Sequence, residues 1–140
     1  MVTEQYLADY ITSTFEGVET AVNLGYTFFF YRDDHQHGFA TIASQGNQYE
    51  AVSRLDRPGV YRLSLGVGRA TFDALFGPGK VDATAYDYTA LDVLLPHPDY
   101  AAAHFLCVLS PSQATFERLR PLLAEAYDLA KARYARRSAS

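Results

Sequence analysis

Residues 55–72, LDRPGVYRLSLGVGRATF, constrain the fold more than any other part of the chain. A Pro-Gly pair predicts a turn, and the residues over 60–67 then alternate in the way a β-strand does. The alternation places Tyr and Leu or Val side chains on one face of this strand and Arg62 on the other. Two glycines then lead into a short helix over 69–76. The segment therefore predicts a strand that is followed at once by a helix.

The remaining elements follow from the period of the apolar residues. Helical spacing predicts an amphipathic helix over 4–16, with Thr3 as its N-cap. Apolar and aromatic runs predict strands over 25–32, 39–44 and 104–110, of which the first two form a hairpin. Short turns join these strands, which favours antiparallel pairing with the terminal helices on one face. The predicted fold class is α+β: a single antiparallel β-sheet flanked by N-terminal and C-terminal helices.

The C-terminal helix carries its own start and stop signals. Ser110 is the expected N-cap, with Pro111 at the first helical position and Gln113 completing a capping box. Pro121 is expected to kink the helix or split it in two. The last residues, 138–140, are expected to fray.

Length and composition limit the class of protein. The chain has 140 residues and a formal net charge of −4, which predicts a single domain over 1–140 and argues against a nucleic-acid binder. Cys107 is the one cysteine, so no disulfide can form within the chain, which fits a cytoplasmic protein. The polar N-terminus predicts no signal peptide, and no apolar run reaches the length of a membrane helix.

The arginines around the 60–67 strand are the first candidate site. Residues 54–69 contain four arginines, Arg54, Arg57, Arg62 and Arg69, against one aspartate, Asp56, which gives them a local charge of +3. A small carboxylate or phosphate held by Arg62, Arg69 and the amides of the glycine corner is one interpretation. In the other, Asp56 pairs with an arginine to fix the turn, and the remaining arginines are solvated. A dinucleotide fingerprint is excluded, because Thr71 occupies the place of the third glycine.

The chain is also rich in aromatic residues that carry a hydroxyl. It contains 11 Tyr and 9 Phe but no Trp, and tyrosines often line pockets or interfaces, although they also complete small cores. A ligand site is therefore predicted between three parts of the chain: the face of the sheet that carries Arg62, the glycine corner before the helix that starts at Arg69, and the tyrosine-rich segment 80–100. Its predicted ligand-binding residues are Arg57, Arg62, Ser64, Arg69, Tyr86, Tyr88 and Tyr100.

Histidines supply the other candidate sites. His35 and His37 have a spacing that suits Zn²⁺ or Ni²⁺, with a third ligand from His97, His104 or Asp99. The stretch also resembles a polar hairpin loop, so the prediction is no metal, with these two histidines as weak candidates, and no cofactor. His97 lies between two prolines, where it could act as a general base or hydrogen-bond donor, or simply pack in a surface turn. Cys107 is predicted to be an inert core thiol.

Several segments carry a resemblance to a known family. The stretches FFFY, FATI, LDRPGVYRLSLGVGRATFDALFG, ALDVLLPHPDYA and CVLSPSQATFERLRPLLAEAYDLAKARYARR resemble a small bacterial family of uncharacterised domains related to the YjbR/MmcQ-like group. The resemblance implies a compact α+β domain and, for some members, a place in natural-product gene clusters. It carries no catalytic motif. The short RDDHQHG turn departs from the longer, proline-containing loop expected there, which makes the His35–His37 pair specific to this chain.

Three functions are compatible with these features. The first is a binding module for a small anionic or aromatic molecule. The second is a cofactor-independent isomerase, cyclase or hydrolase of secondary metabolism, with His97 as acid/base and Arg62 as charge stabiliser. The third is nucleic-acid binding through the basic segments 54–69 and 131–137, which the net charge disfavours. A small-molecule partner and no membrane are predicted, and a homodimer is left open.

Overall fold

The computed structural model describes residues 1–139 and places six strands in one sheet with helices packed against it. In chain order the elements are α1 (Glu4–Thr14), β1 (Val18–Asn23), β2 (Tyr26–Tyr31), β3 (Ala40–Ala43), β4 (Arg62–Gly66), α2 (Arg69–Phe76), β5 (Leu95–Pro96), β6 (Phe105–Leu109) and α3 (Gln113–Ala139). Two short 3-10 turns, Ala83–Ala85 and Ala101–Ala103, interrupt the loops on either side of β5.

The sheet order is β1-β2-β3-β4-β6-β5, and every neighbouring pair is antiparallel. The predicted α+β class, with one antiparallel sheet and terminal helices, is confirmed. The predicted hairpin of the second and third strands is also confirmed, because β2 pairs with β3. No helix in the described part of the chain has the length and apolar character needed to cross a membrane.

The main core lies between one face of the sheet and the helices α1 and α3. Leu63 and Leu65 of β4 are completely buried there, as the alternation predicts. They join a cluster that includes Leu7 of α1 and Phe116 and Leu119 of α3. Each such side chain contributes about 1.5–3 kcal/mol when fully buried, so this face fixes the register of the sheet.

The opposite face of the sheet is only partly covered. At one end, Leu55 and Val60 from the β3–β4 loop pack on Ala43 and Leu109. At another, Tyr88 packs on Leu95 and Cys107. Between these two small clusters the face carries polar and aromatic side chains, and a cleft opens above it.

Two local predictions need correction. The N-cap of α3 is Ser112, whose Oγ accepts from the Thr115 amide at 3.2 Å, and not Ser110. Ser110 instead ties loops together, since its Oγ accepts from the Tyr61 amide. The expectation that Pro121 splits α3 is wrong, because the helix is continuous through this exposed position. The expected fraying of residues 138–140 includes Ser140, which lies outside the described residues.

Candidate functional site

An open cleft of about 850 Å³ lies on the partly covered face of the sheet. Its volume is within the range of small-molecule pockets. The floor comes from β2, β3, β4 and β6, and the walls come from the β3–β4 loop and the segment that contains His97. Its lining residues are Tyr26, Phe28, Phe30, His35, Gln36, His37, Gly38, Thr41, Tyr49, Glu50, Arg62, Ser64, His97, Asp99, Tyr100, Ala103, Phe105 and Arg133.

Strand register places two polar side chains on this floor. Arg62 and Ser64 are two residues apart in β4, so both project from the face opposite Leu63. Thr41 of β3 lies directly across from Ser64. Ser64 is 5% exposed, and no described residue forms a hydrogen bond with its hydroxyl. A buried hydroxyl that lines a cleft without a protein partner is available to a ligand.

Arg62 is buried and paired with a carboxylate of the chain itself. The residue is 5% exposed, its Nη1 forms an ion pair with Glu50, and the same nitrogen donates to Ser53 Oγ at 3.5 Å. Glu50 is also buried and accepts from the Ser53 amide at 3.1 Å. The Arg62 Nε has no hydrogen-bond partner among the described residues. The guanidinium charge is thus compensated, while one of its donors is still unused.

His97 is held as a neutral ring in the wall of the cleft. Its Nδ1 accepts from the backbone amides of Asp99 and Tyr100, at 3.0 and 3.1 Å. Burial, and secondarily the charge of Arg62, lower the pKa of His97 to about 3. Because Nδ1 accepts both bonds, the neutral ring carries its proton on Nε2, which forms no hydrogen bond with any described residue. His97 is therefore a fixed hydrogen-bond donor.

Aromatic rings form much of the remaining surface. Phe28 and Phe30 are stacked with their centroids 6.0 Å apart, and Tyr26 continues the row at 5.9 Å from Phe28. Across the cleft, Tyr100 and Phe105 pack near the His97 ring. The rings present flat apolar area on two sides of the Arg62–Ser64 floor, an arrangement that suits a planar aromatic ligand.

The structure brings together some of the predicted ligand-binding residues and separates others. Arg62, Ser64 and Tyr100 line the cleft, as does His97. Tyr88 is buried against Leu95 and Cys107 and donates to the Pro96 carbonyl at 2.7 Å, and Tyr86 packs beside it. Neither these two tyrosines nor Arg57 and Arg69 are among the lining residues.

Arg57 and the glycine corner have structural partners. Arg57 donates to the carbonyls of Ser53 and Thr89, which joins two loops. At the start of α2, the amide of Gly68 and the hydroxyl of Thr71 donate to Glu125 of α3, at 2.5 and 2.7 Å. The position where the sequence suggested an external anion is therefore occupied by a carboxylate of the chain.

Arg69 belongs to a second, smaller cavity. Its side chain is 82% exposed and lies 3.7 Å from the Asp73 carboxylate. The cavity has a volume of about 420 Å³ and is lined by Arg69, Phe72, Asp73, Gly79, Lys80, Val81, Ala101, Ala102 and His104. It contains no buried charged side chain, so its charges are those of a solvated surface.

The two weak metal candidates lie at the rim of the cleft. His35 stacks on Phe30 with centroids 4.4 Å apart, and its Nε2 lies 2.8 Å from the Glu19 carboxylate. His37 also lines the rim. Within residues 1–139, no three His, Cys, Asp or Glu side chains cluster in a way that could hold a metal ion.

Several residues of the cleft were not predicted from the sequence. The alternation in YTFFFY places Tyr26, Phe28 and Phe30 on one face of β2, a signal that was readable but did not say which face was open. No sequence pattern indicated Glu50 as a site residue, because it lies in a loop without regular structure and contacts Arg62 only in the folded chain.

Cys107 is a buried thiol, and burial raises its pKa to about 12.

Comparison with known proteins identifies a family. A family model described as a family of unknown function (DUF6194) matches residues 2–139. The search of curated proteins and the search of solved structures each found no match. The wider likeness to the YjbR/MmcQ-like group, the bacterial origin and the link to natural-product biosynthesis stay predictions.

Proposed function

The chain belongs to the DUF6194 family, a family of unknown function, and we propose from the geometry of its cleft that it binds a small aromatic molecule there. The observation that carries this proposal is a floor of two buried, incompletely hydrogen-bonded polar side chains between two groups of rings. Arg62 Nε and the Ser64 hydroxyl are the unused polar groups. Arg62 Nε is fully buried, whereas the Ser64 hydroxyl lines the cleft, where a ligand acceptor would supply a hydrogen bond that the fold itself does not.

Of the two ligand classes predicted from the sequence, an aromatic ligand is better supported than an anionic one. Both positions that the sequence offered to an anion have a carboxylate from the chain: Glu50 at Arg62, and Glu125 at the start of α2. An added anion near Arg62 would meet Glu50 in a poorly solvated site, where a like charge is costly. An uncharged aromatic ligand would meet no such repulsion from Glu50.

An enzymatic role is the second candidate function, and the pKa and hydrogen bonds of His97 bear on it. The low pKa of His97 and the use of Nδ1 by two backbone amides disfavour proton abstraction near neutral pH. The Nε2–H group can still donate to a substrate carbonyl. Catalysis would therefore be electrostatic, by polarising an oxygen, with no proton transfer to His97.

Nucleic-acid binding has less support. Several of the basic side chains on which it would depend already have acidic or backbone partners. These pairs are Arg54 with Asp56, Arg57 with two carbonyls, Arg62 with Glu50, and Arg137 with Asp34. Compensated cations release fewer counterions and give weaker, less salt-dependent binding. The cytoplasmic location and the homodimer stay predictions.

The two cavities provide a matched experiment. Ala102 and Ala103 are exposed neighbours in the same 3-10 turn, and Ala103 lines the cleft whereas Ala102 lines the smaller cavity. A library of aromatic fragments is screened by saturation-transfer NMR against the wild type, Ala103→Trp and Ala102→Trp. We expect fragments that bind the wild type and Ala102→Trp but not Ala103→Trp. Binding that both variants retain equally, or no binding at all, would contradict the proposal.

A further inference from the structure

We propose that Glu50 makes the cleft selective for uncharged aromatic ligands that carry a carbonyl beside an N–H group, such as aromatic amides or lactams, over aromatic carboxylates. The inference rests on the proposed function, because it assigns the chemical class of the ligand in the same cleft. It starts from the pairing of Arg62 with Glu50, which sets both the charge and the hydrogen-bonding pattern of the floor.

The formal charges around the cleft are balanced. Arg62 and Arg133 are its basic lining residues, and Glu50 and Asp99 are its acidic ones. Arg62 and Glu50 are both buried and form an ion pair. Asp99 is exposed, and Arg133 is partly exposed and has no ion-pair partner among the described residues, so water screens both of these charges. A carboxylate that enters the floor would lose its hydration and find the charge of Arg62 already neutralised. An uncharged ligand avoids this cost.

The cleft presents donors as well as an acceptor. The Ser64 hydroxyl on its floor and the His97 Nε2–H in its wall are donors that no described residue uses. The Glu50 carboxylate is an acceptor beside Arg62, with lone pairs beyond those used by Arg62 and the Ser53 amide. A planar amide offers a carbonyl for the donors and an N–H for Glu50. The attached ring would then lie against Phe28 and its neighbours.

Two probes of equal size separate the ligand classes. We would measure the Kd of 2-naphthamide and of 2-naphthoate by isothermal titration calorimetry at neutral pH. The variants are Glu50→Gln, which keeps the shape of the side chain without its charge, and Asp73→Asn, which removes a carboxylate from the smaller cavity instead. The wild type alone already tests the inference, even if Glu50→Gln does not fold.

We expect the wild type to bind the amide about ten-fold or more tightly than the carboxylate. Glu50→Gln should abolish or reverse this preference, because Arg62 then lacks its counter-charge, and Asp73→Asn should leave it within about two-fold. A wild type that binds 2-naphthoate as well as 2-naphthamide, or neither of them, overturns the inference, as does a preference that Glu50→Gln leaves unchanged. If 2-naphthoate binds the wild type as tightly as 2-naphthamide does and this binding is lost in Ala103→Trp, the selectivity inference is overturned while the proposed function is supported.

Discussion

Replacing His97 with asparagine removes one titratable group and preserves the hydrogen bonds that its ring accepts. The Oδ1 of asparagine can accept from the amides of Asp99 and Tyr100 in the same way as the ring Nδ1. The folded protein holds the pKa of His97 at about 3, whereas an unfolded chain has a histidine pKa of about 6.5. The variant therefore isolates the contribution of this one pKa difference to stability.

The sign follows from which state binds the proton. Below about pH 6.5 the unfolded chain protonates His97 while the folded chain does not, so acid favours unfolding. The stabilising contribution is complete above about pH 6.5 and disappears as the pH falls toward 3. For a pKa of about 3 in the folded state, the loss is about 2.7 kcal/mol at about pH 4.5 and reaches about 4–5 kcal/mol lower still.

Urea denaturation at several pH values measures this loss directly. Between about pH 8 and pH 4.5, the wild type should lose about 2–3 kcal/mol more stability than His97→Asn, since the carboxylates contribute equally in both. Nitrogen shifts of the imidazole should also show the Nε2–H tautomer and no titration of His97 above pH 4. Parallel pH profiles for the two proteins, or a His97 that titrates near 6.5, would refute the reasoning.

Three further substitutions or probes test other contacts. Glu125→Ala removes the acceptor at the start of α2 and should lower the unfolding free energy by about 1–3 kcal/mol in urea, whereas Glu125→Gln should lose less. Gly66→Ala places a methyl carbon 2.9 Å from the Phe105 ring, so it should cost about 1–3 kcal/mol and shift the Phe105 proton resonances; a variant as stable as the wild type would argue against this contact. Cys107, with a pKa raised by burial to about 12, should resist a thiol reagent in the native protein and react fully in denaturant, while rapid native labelling would contradict its burial.

Periodicity predicted most of the fold, because burial against one face imposes it. The alternation over 60–67 gave the correct faces of β4, and helix α2 has the predicted bounds, 69–76. Strand β1 was not predicted, since it lies at the edge of the sheet with mostly exposed positions and so carries little apolar signal. The expected split of α3 at Pro121 was wrong, since the proline is exposed, so water can bond the backbone groups it leaves unpaired, and this exposure is not visible in the sequence.

The site was harder to predict because its parts meet only in the folded chain. Arg62 stood out in the sequence as a charge within a strand, and the structure places it in the cleft. Its partner Glu50 comes from an irregular loop, and the competitor at the glycine corner, Glu125, comes from a helix 57 residues away. Pairs of residues this far apart in the chain leave no local sequence pattern. The sequence alone therefore could not show that Arg62 and Arg69, which were predicted to share one site, line different cavities.

Intermolecular contacts of a bound fragment test the central claim most directly. The strongest aromatic fragment from the screen is added to labelled protein, and nuclear Overhauser effects are recorded between the fragment and the side chains. The account predicts effects to the rings of Phe28, Phe30 and Tyr100 at the cleft. Effects confined to Phe72 and its neighbours in the smaller cavity, or to neither cavity, would contradict it.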